Sequence, residues 1–308
     1  MANITLSGGG RSRRWFLYCR ERFPLLQSGV LVAALTFATL RIADALDPRA
    51  DSFALQPFLA AFAIAFLFFL ELRILDEFKD AEDDARYRPY RPVPRGLVSL
   101  RELAAVGVTA AAVQVALAAL AGPAAVASLV VTFAWMALMG REFFARAWLR
   151  ARPTAYLASH AVVVPLIAVT IAACRGHGAD VVALAPYLAF TYASSVVLEL
   201  GRKLRAPADE QAGVETYTAL WGRRTAVIVW CASLAASAAL AAMAAVATAG
   251  ALAIGALGAA ALLAGGLCGH RFLARPAPGA GKALQALSGI WIVIAYVALG
   301  VVAHAAKQ

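Results

Sequence analysis

The sequence predicts an all-α membrane protein of nine transmembrane helices, and three observations carry that prediction. Of its 308 residues, 62% are hydrophobic and only 15% charged, with a mean hydropathy of +0.73, a composition that excludes an ordinary soluble globule. Nine apolar runs, each bounded by charge, Pro or Gly, reach the roughly 20 residues that a spanning helix needs. With the N-terminus cytoplasmic, the inner segments then hold 24 of the 28 basic residues, as the positive-inside rule requires.

Taken in order, residues 1–24 read as a short cytoplasmic tail whose Trp15–Phe23 stretch lies at the interface, with no signal-peptide layout. Residues 25–305 read as one domain with spans at 25–46, 53–75, 100–121, 123–140, 155–174, 181–200, 225–248, 251–269 and 284–305. The runs must be helical, because backbone polar groups in lipid have to be satisfied within the segment. Ser99 with Glu102 fits a capping box opening the third span, and Gly122-Pro123 fits a stop and restart before the fourth. Outer connections are terse (ALDPRADS, AGPAA, CRGHGAD, ATAG), whereas inner ones are long and charged, above all after the second and sixth spans. From Thr225 to Gly269 there is no charged residue and Ala and Gly dominate, so these two spans are assigned to close helix packing. Only Arg41, Arg49, Arg175 and Lys307 fall away from the inner side, and Arg41 is expected to snorkel outward. Glu71 and Arg73 are expected to form a pair at the membrane boundary.

A net charge of +10 does not signal nucleic-acid binding here, because position accounts for it. The four cysteines lack a CxxC pair and indicate neither a disulfide framework nor a zinc site.

The chemistry concentrates in DEFKDAEDDARYRPYRPVPRG, Asp76 to Gly96. Asp76, Asp80 and Asp84 recur at i, i+4, i+8, and Glu77, Asp80 and Asp84 at i, i+3, i+7, so either set projects from one helical face. Stacked carboxylates repel, and an oxygen-only set suits Mg²⁺, or Mn²⁺, which is typically held by a few carboxylates plus substrate phosphates. The following Arg88-Pro89-x-Arg91-Pro92-x-Pro94-Arg95 run cannot be helical and presents arginines rigidly; their planar forks suit phosphate. Acid on one arm and base on the other make a site for a metal-bound diphosphate.

These residues resemble the UbiA superfamily of intramembrane prenyltransferases, whose NDxxDxxxD and RPxRPxxxG runs are matched by Asp76-Glu77-x-x-Asp80-x-x-x-Asp84 and Arg88-Pro89-x-Arg91-Pro92-x-x-x-Gly96. The leading pair departs from the pattern, leaving open whether Asp76 or Glu77 is the ligand. The resemblance implies nine helices surrounding a central cavity open to the cytoplasmic face, in a bacterial inner membrane with the C-terminus outside. It also implies a second acidic motif after the sixth span, of which Asp209, Gly213 and Thr216 fit the close while Arg202, Lys203 and Arg205 stand where further aspartates are usual. Glu199 and Asp209 then complete a metal site with Arg202 and Lys203 on the diphosphate, or Glu199 and Lys203 form an ion pair and the second metal is lost.

By the same resemblance Arg146 and Arg150, in REFFARAWLRARP, contact the diphosphate, unless that segment simply lies on the lipid surface. The implied roles are metal binding for Asp76, Glu77, Asp80, Asp84, Glu199 and Asp209, and diphosphate binding for Arg88, Arg91, Arg146, Arg150, Arg202 and Lys203. Asp80, Asp84, Arg88 and Lys203 form the catalytic core. His160 is read as a packing residue or an acceptor contact. Phe62, Phe66, Phe68, Phe69, Trp135, Tyr187, Phe190 and Tyr192 are candidates to wall a prenyl tunnel. The reaction implied is electrophilic transfer from an allylic prenyl diphosphate to an unidentified acceptor within the membrane, with membrane lipids as surroundings. A cyclase capturing the cation intramolecularly, and a transporter of divalent ions or small molecules, are the rival readings.

Overall fold

The computed structural model describes residues 10–47, 54–176, 180–246 and 250–306. Arg49, Lys307 and parts of three of the terse outer connections lie outside the described residues. Among the described residues every regular element is helical: α1 Arg11–Arg22, α2 Leu25–Leu46, α3 Leu55–Lys79, α4 Ala81–Tyr87, α5 Leu100–Ala121, α6 Pro123–Gly140, α7 Arg146–Arg150, α8 Pro153–Ala161, α9 Val163–Ala173, α10 Ala185–Arg202, α11 Tyr217–Trp221, α12 Arg223–Ala244, α13 Ala251–Ala274 and α14 Gly281–Ala305.

Local sequence sets the boundaries. Both hydrogen bonds of the Ser99–Glu102 capping box are made, the Glu102 amide donating to Ser99 Oγ at 3.2 Å and the Ser99 amide to Glu102 Oε2 at 2.8 Å. Gly122, at φ +118°, ends α5, and Pro123 occupies the first turn of α6. The fifth span is broken between α8 and α9, where Pro165 offers no amide to Ala161; Ser195 Oγ donates to that carbonyl at 3.3 Å instead, from α10.

Among the described residues eight helices are long and apolar enough to cross a membrane, α8 and α9 counting as one. The expected ninth span is α10. Its 18 residues carry Tyr187, Thr191, Tyr192, Ser194, Ser195, Glu199 and Arg202 and fall short of the others in apolarity. That polarity is housed by protein, since α10 lies among α8, α9, α12 and α14.

Successive long helices touch, α2 to α3, α3 to α5, α5 to α6, α6 to α9, then on through α10, α12 and α13 to α14, which returns to α2 and closes a ring. Small residues make the closure tight: a Cβ on Gly300 of α14 would lie 2.5 Å from the Phe37 ring of α2. Buried indoles pin α12 to α14, Trp230 Nε1 donating to Ser288 Oγ at 2.9 Å and Trp291 Nε1 to Ser237 Oγ at 3.0 Å.

At the end of the bundle away from α4, α7 and α11, Arg41 is only 2% exposed. It pairs with Asp44 at 3.0 Å, and Arg175 joins Asp44 at 2.6 Å and Asp47 at 3.3 Å. The expected snorkelling of Arg41 is therefore corrected: an acidic partner one turn away holds it inside.

Substituting Gly300→Leu should destabilise the protein by about 1–3 kcal/mol through overpacking at the α2–α14 seam. A lowered midpoint of thermal unfolding in detergent is the expected reading, and an unchanged midpoint would contradict that close approach.

Candidate active site

A cavity of about 480 Å³ opens at the end of the ring that carries α4, α7 and α11, lined by ten basic and seven acidic side chains. Such a surplus of cations suits a polyanion.

One wall is the junction of α3 and α4. Asp80 sits between the two helices with φ −93° and ψ 5°, and Asp76, Asp80 and Asp83, spaced i, i+4, i+7, all line the cavity. Asp76 pairs with Arg73 at 3.2 Å and Lys79 at 3.8 Å, while Asp83 meets Arg150 at 3.3 Å. The boundary pair expected for Arg73 and Glu71 is replaced by this contact to Asp76, and Glu71 is buried inside α3. Glu77 is held by Arg22 of α1 in a buried ion pair and does not itself line the cavity, although Arg22 does.

Asp84 is also buried away from the cavity, with Arg88 Nη2 and Arg91 Nη1 each 2.6 Å from its oxygens. The two arginines line the cavity themselves, so the carboxylate fixes the start of the Arg-Pro arm. Helix α1 holds the arm's far end: Glu21 pairs with Arg95 at 2.8 Å, and Arg14 donates to the Leu97 carbonyl at 2.8 Å while pairing with Glu102 at 3.0 Å.

The facing wall is the C-terminal end of α10. Glu199 is held by Arg202 at 2.5 Å and Lys203 at 3.0 Å, and all three line the cavity. The Glu199–Lys203 ion pair of the second sequence reading is present, and Glu199 also lines the cavity. Asp209 does not line the cavity; its Oδ2 accepts the Gly279 amide at 2.7 Å, tying the loop to the turn before α14. Thr216 caps α11. Gly213, at φ +72°, lies so close to the Tyr87 ring that a Cβ would come within 2.4 Å of it. With Tyr90 Oη donating to Gln211 at 3.1 Å, this contact joins the two motif loops.

The third wall follows α6. Glu142, Phe143 and Phe144 have φ of 47°, 52° and 56°, a left-handed run that costs backbone strain. It turns the chain so that Arg146 and Arg150 reach the rim, half-exposed, Arg146 near Glu142 at 3.4 Å and Arg150 near Glu215 at 3.7 Å. Phe143 fits between Trp135 and His160, at ring separations of 5.2 and 6.0 Å. His160 stacks on Tyr156 at 3.8 Å, uses Nδ1 on the Tyr156 carbonyl and does not line the cavity. Of the candidate tunnel aromatics, Tyr187 and Phe190 are fully buried beside Tyr296. Phe68 packs on Phe133, Phe62 stacks with both Phe58 and Phe66, and Tyr192 Oη donates to the Ala158 carbonyl.

Among the described residues, Asp80 is a cavity carboxylate with no hydrogen bond or ion pair of its own. Burial raises it above the ordinary aspartate value, Lys79 opposing and Asp76 and Asp84 reinforcing the shift. No three acidic, His or Cys side chains among the described residues converge to hold a metal alone. The donor set fits an ion that takes one or two carboxylates and completes its sphere with water and phosphate. Asp83, Lys79, Tyr156 and Tyr217 also line the cavity and were absent from the sequence assignment. For Asp83 the i+7 spacing from Asp76 was available as a signal; for the others only the folded arrangement reveals it.

The sequence profile of the UbiA prenyltransferase family matches residues 30–290. No curated protein matches the chain. Among solved structures, an apo UbiA homolog from Aeropyrum pernix K1 is 18% identical with a TM-score of 0.63, over 90% of this chain and 98% of that one. A UbiA homolog from Archaeoglobus fulgidus bound to DMAPP and Mg²⁺ is 14% identical with a TM-score of 0.58, over 94% and 99%. A digeranylgeranylglyceryl phosphate synthase structure is 14% identical with a TM-score of 0.59, over 96% and 100%. At these identities the likeness is one of fold.

Glu77→Gln should lower stability by about 3–5 kcal/mol, the cost of stranding a buried cation, while leaving Mn²⁺ binding in place; Asp80→Asn should abolish that binding with little loss of stability. Since protons compete for the raised Asp80 carboxyl, metal affinity should be full above its value and fall as the pH drops through it. Thermal unfolding and Mn²⁺ titration at several pH values read all three.

Proposed function

The chain belongs to the UbiA prenyltransferase family, and from that premise we propose that it transfers a prenyl group from an allylic diphosphate to an acceptor within the membrane, with Mg²⁺ as cofactor. The observation that carries the reading is one cavity in which Asp76, Asp80 and Asp83 face Arg88, Arg91, Arg202 and Lys203, at the end of an apolar helix ring. The homologs from Archaeoglobus fulgidus bound to DMAPP or GPP with Mg²⁺ support this substrate class. The charge asymmetry of the loops supports a cavity facing the cytoplasm.

When bound, Mg²⁺ on Asp80, with Asp76 and Asp83 beside it, supplies charge neutralisation for the diphosphate. The rest falls to the protein. Arg88 and Arg91 present guanidinium donors already oriented by Asp84, so little reorganisation is needed as negative charge collects on the leaving oxygens. Arg202 and Lys203 meet the anion from the opposite wall. Arg150 holds Asp83 and Glu215 through half-exposed contacts, each worth at most about 1 kcal/mol, and so can turn to substrate at small cost. The allylic C–O bond breaks with its electron pair leaving on the diphosphate. The acceptor nucleophile then bonds to the allylic carbon and loses a proton, while the apolar surroundings keep water from the cation.

Purified protein given an allylic diphosphate, Mg²⁺ and a membrane lipid extract should release diphosphate and form a prenylated lipid. Release with a cyclic hydrocarbon and no acceptor would assign intramolecular capture instead. Asp80→Asn should lower kcat about 10²–10³-fold, as loss of transition-state charge stabilisation does. Asp84→Asn, which loosens the arm, should raise KM for the diphosphate roughly tenfold, the worth of one charge-assisted hydrogen bond, with a smaller change in kcat.

A further inference from the structure

The charges of the cavity divide into two unlike poles. At one, among the described residues, Asp80 makes no ion pair, feeling Lys79 and Arg88 only from beyond contact distance, and Asp83 meets only the half-exposed Arg150. At the other, four cations, Arg73, Lys79, Arg202 and Lys203, stand against two carboxylates, Asp76 and Glu199. A metal ion on Glu199 would have to displace both Arg202 and Lys203, at 2.5 and 3.0 Å, and leave them facing it as like charges. Asp209, the other candidate ligand of this loop, is committed to the Gly279 amide outside the cavity. The residues of this pole do not fit a metal.

They fit an anion. Lys203 Nζ lies 6.0 Å from the ring centre of Tyr156 and 5.6 Å from that of Tyr217, and Lys79 Nζ lies 2.5 Å from Tyr156 Oη. An ammonium group can only donate, so Tyr156 Oη is the acceptor of that contact and its own hydrogen is left to donate elsewhere. Lys203 has donors beyond its one contact to Glu199, as does the guanidinium of Arg202. Their carboxylate partner orients these groups without exhausting them.

Resting on the prenyltransferase reading of this cavity, we propose that the pole formed by Lys79, Lys203, Arg202 and the Tyr156 hydroxyl is a metal-free phosphate subsite. One phosphate of the diphosphate is held there by fixed cations, and a single divalent ion serves the other from the Asp80 side. Two consequences follow from the charges. The protein binds inorganic pyrophosphate without any metal, and it takes up one divalent ion per chain in the pyrophosphate complex.

The test uses the full chain in detergent, with inorganic pyrophosphate as the probe and calorimetry as the readout, in EDTA and then in Mn²⁺. Binding in EDTA is expected, weakened tenfold or more by Lys203→Ala and several-fold by Tyr156→Phe, which removes only the hydroxyl and serves if the lysine variant fails to fold. Asp80→Asn, which deletes a negative charge, should leave binding in EDTA at least as tight. Electron paramagnetic resonance should count one bound Mn²⁺ per chain in the pyrophosphate complex. No binding in EDTA, no effect of either subsite variant, or two Mn²⁺ per chain would overturn the subsite. Failure of prenyl transfer with metal-free pyrophosphate binding intact would instead overturn the reaction assigned to the cavity.

Discussion

The charged end of the molecule depends on the buried carboxylate of Asp84. It sits where an acidic helix turns into a proline-stiffened arm, and it takes up Arg88 and Arg91 together. An unpaired carboxylate so buried would be costly, so the arginines must come to it, and their placement fixes the arm against the cavity. The prolines reduce the freedom that the arm loses on being fixed. Helix α1 clamps the far end through Arg14 and Glu21, so the N-terminal segment is part of the site's scaffold.

The helix ring supplies the second constraint. Its close seams rest on small residues and on indole-to-serine hydrogen bonds, contacts that lipid cannot replace. Because α10 is held among protein neighbours, it can carry hydroxyls, a carboxylate and an arginine down to the cavity, which a lipid-facing helix could carry only at high cost. The apolar helices enclose, and α10 carries its polar groups to the cavity opposite those at the end of α3.

Much of this was legible in the sequence, and the reasons differ by element. Eight of the nine expected spans followed from apolar length, and the Ser99–Glu102 cap and the Gly122-Pro123 restart from local backbone chemistry. The acidic face and the arginine arm were visible as spacing and proline content, but not their division of labour. A linear motif does not say that Asp84 turns inward to Arg88 and Arg91 while Asp83, one residue earlier, faces the cavity. The i, i+4, i+8 set drifts around a 3.6-residue helix, and the i, i+4, i+7 set of Asp76, Asp80 and Asp83 follows the face more closely. Glu77 and Asp209 found their partners on other segments, and Tyr156 meets Lys79 across 77 residues of sequence. No window of local sequence contains such pairs.

The ion pairs of Arg41, Asp44, Asp47 and Arg175 lie at the end of the bundle opposite the cavity. A hydrophilic chamber sunk into one side of a bilayer thins the barrier that remains, and any continuous wet path through it would short-circuit the gradients the membrane maintains. Among the described residues, that far end pairs its two buried cations with carboxylates, so neither guanidinium stands as an isolated charge in the apolar core. For the proposed prenyl transfer, such pairing would keep the far end of the bundle neutral while the cavity end carries the charge that a diphosphate needs.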